Sequence, residues 1–190
     1  METLSTFAPT LSQRRLRRLE YDQLVSLGAF DGEKLELIRG ALSTMSPTRP
    51  SHSYVIQELT ARFIIGLRGR AILRVQSPFI ATDDSEPEPD FAVVPSDDYA
   101  SEHPDEATLV VEVAESSLRY DRDVKGPLYA ESQVGEYWIV AIERGCIEVY
   151  RDPADGRWNT SFIVGREGSV APLAFPDLVI PAGAILPPPK

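Results

Sequence analysis

Leu109-Val110-Val111-Glu112-Val113, inside ATLVVEVAESS (residues 107–117), is the most apolar β-prone run of the chain. Near-continuous apolarity of this kind predicts a central strand covered on both faces of a sheet. A carboxylate at Glu112 is costly there unless it is paired, protonated or bound to a cation. Glu112 therefore reads either as half of a buried ion pair or as part of a functional site.

Working outward, PEPDFAVV (87–94) predicts a second strand that Asp90 opens. Pro87 and Pro89 favour an extended approach, because proline disfavours helix in the residue before it. Asp90 alone could be a turn or cap residue, but carboxylates on neighbouring strands can converge on one face. Such hard oxygen donors suit magnesium or manganese. Glu86 and Glu88 read as a solvated acidic loop. Downstream, a helix is expected from about Tyr120 to Ser132, with Lys125 following Glu112 by 13 residues. A lysine there could reach back to the carboxylates to orient or deprotonate an attacking water, or to stabilise phosphate charge; taken alone it reads as a solvated helix residue. Tyr120, Tyr129, Tyr137 and Trp138 read as packing residues.

The earlier chain supplies three further candidates. KLELIRGALSTM (34–45) predicts a hairpin turning at Arg39-Gly40, with Glu36 in its first strand as a metal or water ligand or as a solvent-facing residue. Ser51 is placed to cap a helix running to about Leu67, and His52 at its start suits capping or phosphate contact. Gln76, in RVQSP, could point into the same cleft. Arg14 to Leu27 predicts a first helix through its leucine spacing. AILRVQ and PFIAT predict two strands around Pro78. Three more strands are expected in EYWIVAI, CIEVYRD and WNTSFIVG, followed by a proline-rich tail wrapped on the body. Helices packed against one central sheet, without regular strand–helix alternation, make a mixed α/β (α+β) class.

Composition sets the outer limits. A chain of 190 residues with 43% hydrophobic and 25% charged residues suits one globular domain. That domain is expected over 14–186, after a flexible 1–13 and before a disordered tip at 187–190. No apolar run approaches the roughly 20 residues a membrane helix needs, so a cytoplasmic protein without membrane partners is expected. The lone Cys146 excludes an intramolecular disulfide and any multi-cysteine zinc site, and reads as a structural strand residue. Lys plus Arg number 19 against 29 Asp plus Glu, a net charge of −10. That balance weighs against tight non-specific DNA binding but not against acidic groups that hold metal. The arginines cluster at 14–18 and 62–74. There is no P-loop, GxGxxG, HExxH or GxSxG segment.

The ordered set KLELIRGAL, Ser51-His52, VQSPFI, PEPDFAVV, LVVEVAESS, DRDVKGPLYA and VGEYWIV resembles the Uma family of restriction-endonuclease-like proteins, within the PD-(D/E)XK superfamily. The resemblance runs from about Tyr21 to the tail. It implies a restriction-endonuclease-like mixed sheet flanked by helices, and phosphodiester hydrolysis of nucleic acid, with DNA the expected substrate, using Mg2+ or Mn2+. By motif position Asp90, Glu112, Lys125 and Glu36 would be catalytic. Asp90, Glu112 and the Val113 carbonyl would hold metal, with His52 and Gln76 as substrate contacts. The chain departs from the motif at Ala114, where its lysine would stand and whose place Lys125 would take, and at Ala141, where relatives often carry aspartate. A homodimer is expected if both strands of a duplex are cut. Two other readings compete: a catalytically inactive nuclease fold acting as a nucleic-acid-binding or scaffold module, and a sandwich binding a small acidic or sugar ligand.

Overall fold

The computed structural model describes residues 14–45 and 47–188; the expected flexible segment 1–13 and the last two residues of the expected tip lie outside the described residues. Helix α1 (Arg18–Ser26) leads to the hairpin of β1 (Leu35–Ile38) and β2 (Ala41–Thr44), and then to the long helix α2 (Pro50–Leu67). Next come β3 (Ile72–Val75), β4 (Phe91–Val94) and β5 (Leu109–Ala114). A short helical turn α3 (Leu118–Tyr120), a π-helical turn (Asp121–Lys125) and α4 (Gly126–Glu131) form one continuous helical segment. Strands β6 (Glu136–Ala141), β7 (Cys146–Ala154) and β8 (Arg157–Gly165) follow, and the tail forms a small pair, β9 (Ser169–Val170) with β10 (Ile180–Pro181).

The main sheet has the order β3-β4-β5-β6-β7-β8, antiparallel throughout except for the parallel β5–β6 pair. Every residue of β4, β5 and β6 is buried, because both faces are covered. Side chains alternate across the pleat. Phe91, Val93, Leu109, Val111, Val113, Trp138 and Val140 pack under α2 and the tail. Ala92, Val110, Ala114, Tyr137 and Ile139 pack under α4 with Phe79 and Tyr129. By the same parity, Glu112 belongs to the α4 face.

Several local expectations change. The first helix is shorter than Arg14–Leu27, and its leucines do not form a buried stripe: Tyr21 is its one buried residue, while Leu19 and Leu27 are exposed. Ser51 does not cap α2. Pro50 occupies the first turn, and the Ser51 hydroxyl bonds Glu115 at 2.7 Å instead. PFIAT is not a strand, because Gln76 adopts a left-handed φ of 45° and Pro78 lacks an N–H for the ladder. Backbone bonds from Phe79 to Pro87 and from Ile80 to Pro104 tie that segment down singly.

The β1–β2 turn is as expected. Arg39 and Gly40 both have positive φ, and a Cβ on Gly40 would meet Arg15 and the Leu16 carbonyl. The tail wraps the α2 face and buries Phe175, Leu178, Ile180, Ile185 and Leu186. It packs so closely that a Cβ on Gly66 of α2 would overlap the Leu178 side chain. Gly66→Ala is therefore expected to lower unfolding stability by about 1–3 kcal/mol despite alanine's better helix propensity. Urea denaturation checks this, and a stabilised variant would refute close docking of the tail.

Candidate active site

The site lies where β4 begins and β5 ends. One step beyond the Phe91–Val111 pair, the register sets Asp90 beside Glu112. Asp90 Oδ2 accepts the Val113 backbone N–H at 2.8 Å and lies 3.1 Å from His52 Nε2, while Oδ1 accepts from Gln76 Nε2 at 3.2 Å. His52 reaches in from the first turn of α2, and the left-handed turn at Gln76 aims its amide inward. Burial works against charge on His52, but the Asp90 hydrogen bond and nearby Glu115 and Asp121 outweigh it and raise its pKa.

Lys125 is nearly sealed from solvent, at 5% exposure, so it is not a solvated helix residue. Its Nζ sits 2.9 Å from Glu36 Oε2 and 3.1 Å from Glu112 Oε1. Burial disfavours the ammonium, yet Glu112 and Glu36 together push its pKa well above the ordinary lysine value. Burial pushes the Glu112 carboxyl up, against the pull of Lys125 and with help from Asp121, Asp90 and Glu36. The Glu88 backbone N–H also donates to Glu36 Oε2 at 3.3 Å. The two halves of the site are thus Asp90 with His52 and Gln76, and Glu112 with Lys125 and Glu36.

Two residues join the site that the sequence reading passed over or assigned elsewhere. Asp121 is buried on the π-helical turn, where it accepts a 2.6 Å bond from the Ser117 hydroxyl, and burial pushes its carboxyl up to about 6. Tyr129, read as a packing residue, donates its hydroxyl to Glu112 Oε1 at 2.7 Å, and burial holds its pKa well above the usual tyrosine value. Asp121, Lys125 and Tyr129 are four residues apart in turn, the spacing of one helix face, and that spacing was the available signal. A π turn inserted into α-helix is itself a common feature of functional sites.

Glu86 and Glu88 are not a solvated loop. Glu86 is 6% exposed, and its backbone pairs with Leu37 in both directions. Burial and Asp22 push its carboxyl up to about 7, with Arg18 pulling the other way. A carboxyl raised above its unfolded value near 4.5 binds its proton more tightly when folded. Its contribution is present below that value and is lost as pH climbs to about 7. Glu86→Gln is expected to raise stability by about 1–3 kcal/mol near pH 8 and to change little near pH 4. Denaturation at the two pH values separates this from a pH-independent packing effect, which would be equal at both.

The donor chemistry fits a hard divalent cation. Glu36, Asp90, Glu112 and Asp121 are all buried, and among the described residues Lys125 pairs with two of them, Glu36 and Glu112. Among the described residues, no three His, Cys, Asp or Glu side chains form a ready cage. Magnesium does not require one, since it is commonly held by one or two carboxylates with the remaining positions left to water and phosphate.

A family model described as "Putative restriction endonuclease" (Uma2) matches residues 19–183. Among solved structures, the chain is similar to the crystal structure of "a putative nuclease belonging to DUF820" from Anabaena variabilis ATCC 29413. The TM-score is 0.66 with 14% sequence identity, over 80% of this chain and 89% of that one, which shows a shared fold. The search among curated proteins found no match. No helix among the described residues is long and apolar enough to cross a membrane. With the match spanning most of its length, the chain belongs to the Uma2 family of restriction-endonuclease-like proteins.

Proposed function

We propose that the protein hydrolyses phosphodiester bonds of nucleic acid, with DNA the expected substrate, and that Mg2+ or Mn2+ assists. The observation that carries this reading is that Lys125 Nζ lies 2.9 and 3.1 Å from two buried carboxylates, Glu36 and Glu112, while two more buried carboxylates, Asp90 and Asp121, lie close enough to act on the same charges. A structural ion pair needs one carboxylate per lysine. The surplus negative charge, in a site that excludes most water, favours a bound cation.

Asp90, Glu112 and the Val113 carbonyl are the groups we assign to the cation. Bound there, a divalent ion would polarise the scissile phosphate and make water a better nucleophile. His52 and Gln76 fix the orientation of Asp90, and Tyr129 does the same for Glu112. Lys125 stays protonated between two carboxylates, so its role is to position water and stabilise phosphate charge rather than to accept a proton. In hydrolysis the water oxygen bonds to phosphorus, the P–O ester bond breaks and the leaving oxygen takes a proton from solvent. The proton lost by water goes to a carboxylate of the cluster. Asp121, which holds neither Lys125 nor His52, is the one we assign.

A catalytically inactive nuclease fold is the second reading. The net charge of −10 and the low exposure of Asp90, Glu112, Lys125 and Glu36, all at 8% or less, favour it. Incubating the pure protein with DNA and RNA in magnesium, manganese or EDTA separates the two. Cleavage that EDTA abolishes supports the nuclease, and intact substrates with every metal refute it. Calorimetry with manganese adds a second readout, since a scaffold without a metal site shows no uptake that depends on Asp90.

A further inference from the structure

A second charged cluster lies beside the carboxylates on the same face of the sheet. Glu148 of β7 is buried, and its two oxygens take four donors. These are Arg122 Nε at 3.0 Å, Arg122 Nη2 at 2.6 Å, Arg144 Nη1 at 2.6 Å and the Tyr150 hydroxyl at 2.7 Å. Arg122 belongs to the π-helical turn, next to Asp121, and Arg144 to the β6–β7 turn. Both side chains remain partly open, at 38% and 47% exposure, over a surface hollow of ≈ 560 Å³ rimmed by Phe162 and Ile163.

We infer that Arg122 and Arg144 form a phosphate-binding site for the nucleic-acid strand, held in position by Glu148 and placed to grip a phosphate flanking the one at the carboxylates. The inference rests on the nucleic-acid reading above and adds the surface that grips the strand.

Three features favour a phosphate site over a purely structural clasp. Glu148 is saturated by its donors, so it fixes the two forks without competing for further ones. A guanidinium carries five N–H donors, of which Arg122 spends two on Glu148 and Arg144 one. The free donors, on pre-oriented planar forks, match phosphate geometry. Arg151 shows what a clasp looks like: it is less exposed, bonds the fully buried Glu136, and also donates to the Ala171 carbonyl.

Charge is the second feature. Two guanidiniums against one carboxylate leave local positive charge in a chain of net charge −10. Position is the third. Glu112 pairs with Ile139, which pairs with Glu148, so two strand spacings separate the clusters. That is roughly 10 Å, a distance one strand of nucleic acid covers within about three nucleotides. The apolar rim at Phe162 and Ile163 suits the face of a sugar or base.

The test is fluorescence-anisotropy binding of labelled single-stranded and duplex DNA oligonucleotides, in calcium, across a salt series. The variants are Arg122→Gln/Arg144→Gln, Arg144→Gln alone, and Arg119→Gln. Arg119 is 95% exposed and serves as a control for simple loss of surface charge. The double variant is expected to bind about tenfold more weakly, with a log–log salt slope smaller by about 1. Arg144→Gln, which leaves Arg122 and Tyr150 on Glu148 and so preserves folding, is expected to lose about threefold. Arg119→Gln is expected to bind like the wild type. Unchanged binding in Arg144→Gln, an equal loss in Arg119→Gln, or no wild-type binding to either oligonucleotide would each overturn the assignment. Cleavage is scored separately, so a wild type that binds through these arginines but cuts nothing refutes only the nuclease reading.

Discussion

Asp90→Asn is expected to reduce metal-assisted cleavage by at least about 10²–10³-fold while leaving the protein as stable as before or more so. The two halves of that expectation have different origins. The loss arises because a neutral amide is a poor ligand for a hard cation, and because positioning and electrostatic stabilisation of a phosphate carry effects of this order. The retained stability arises because the buried Asp90 carboxylate repels the neighbouring buried carboxyls of Glu112 and Asp121. Removing one charge relieves repulsion, whereas the asparagine oxygen can still accept the Val113 N–H and the His52 bond. Glu112→Gln follows the same logic, since its oxygen can still accept from Lys125 and Tyr129. Functional sites commonly trade stability for activity in this way. The measurement is cleavage in manganese beside thermal unfolding of the same preparations. A variant that cuts as well as the wild type, or that loses both activity and stability together, would make Asp90 a structural residue.

Much of this site is legible in the sequence because the strands that build it carry strong, short-range signals. A carboxylate inside Leu109–Val113 contradicts its surroundings, and the contradiction can be seen without coordinates. The hairpin at Arg39-Gly40 is legible for a similar reason, since glycine freely adopts the positive φ that a tight hairpin turn favours. Asp90 is less so: its setting depends on β4 and β5 being adjacent and antiparallel, a non-local fact. Glu86 misleads because an acidic, proline-containing loop looks solvated until β1 and α1 are folded over it. The leucines of α1 mislead in the opposite direction. Their spacing is helical, but the helix docks through Tyr21, so Leu19 and Leu27 remain in solvent. Asp121 illustrates a third limit. Helix spacing links it to Lys125 and Tyr129, but its burial depends on how the π turn docks on β6, where its backbone carbonyl accepts from the Tyr137 hydroxyl.

Lys125→Met is expected to be the most destabilising substitution in the site, lowering unfolding free energy by about 3–5 kcal/mol near neutral pH and abolishing cleavage. Methionine fills much of the same volume, so the loss is electrostatic rather than a packing defect. The ammonium bridges Glu36 and Glu112, both at 5% exposure or less, and its removal leaves buried negative charge without a counter-ion. Breaking a buried pair by deleting one partner costs about this much, far more than the net worth of an intact pair. The sign is opposite to that expected for Asp90→Asn, although both variants remove one charge from the same pocket. Deleting a carboxylate reduces the excess of negative charge, whereas deleting the lysine enlarges it. Adding Glu36→Gln to Lys125→Met should therefore recover a substantial part of the stability without restoring cleavage. Urea denaturation of the single and double variants measures this directly. A loss below about 1 kcal/mol in the single variant, or no recovery in the double, would mean that Lys125 does not hold the carboxylates together.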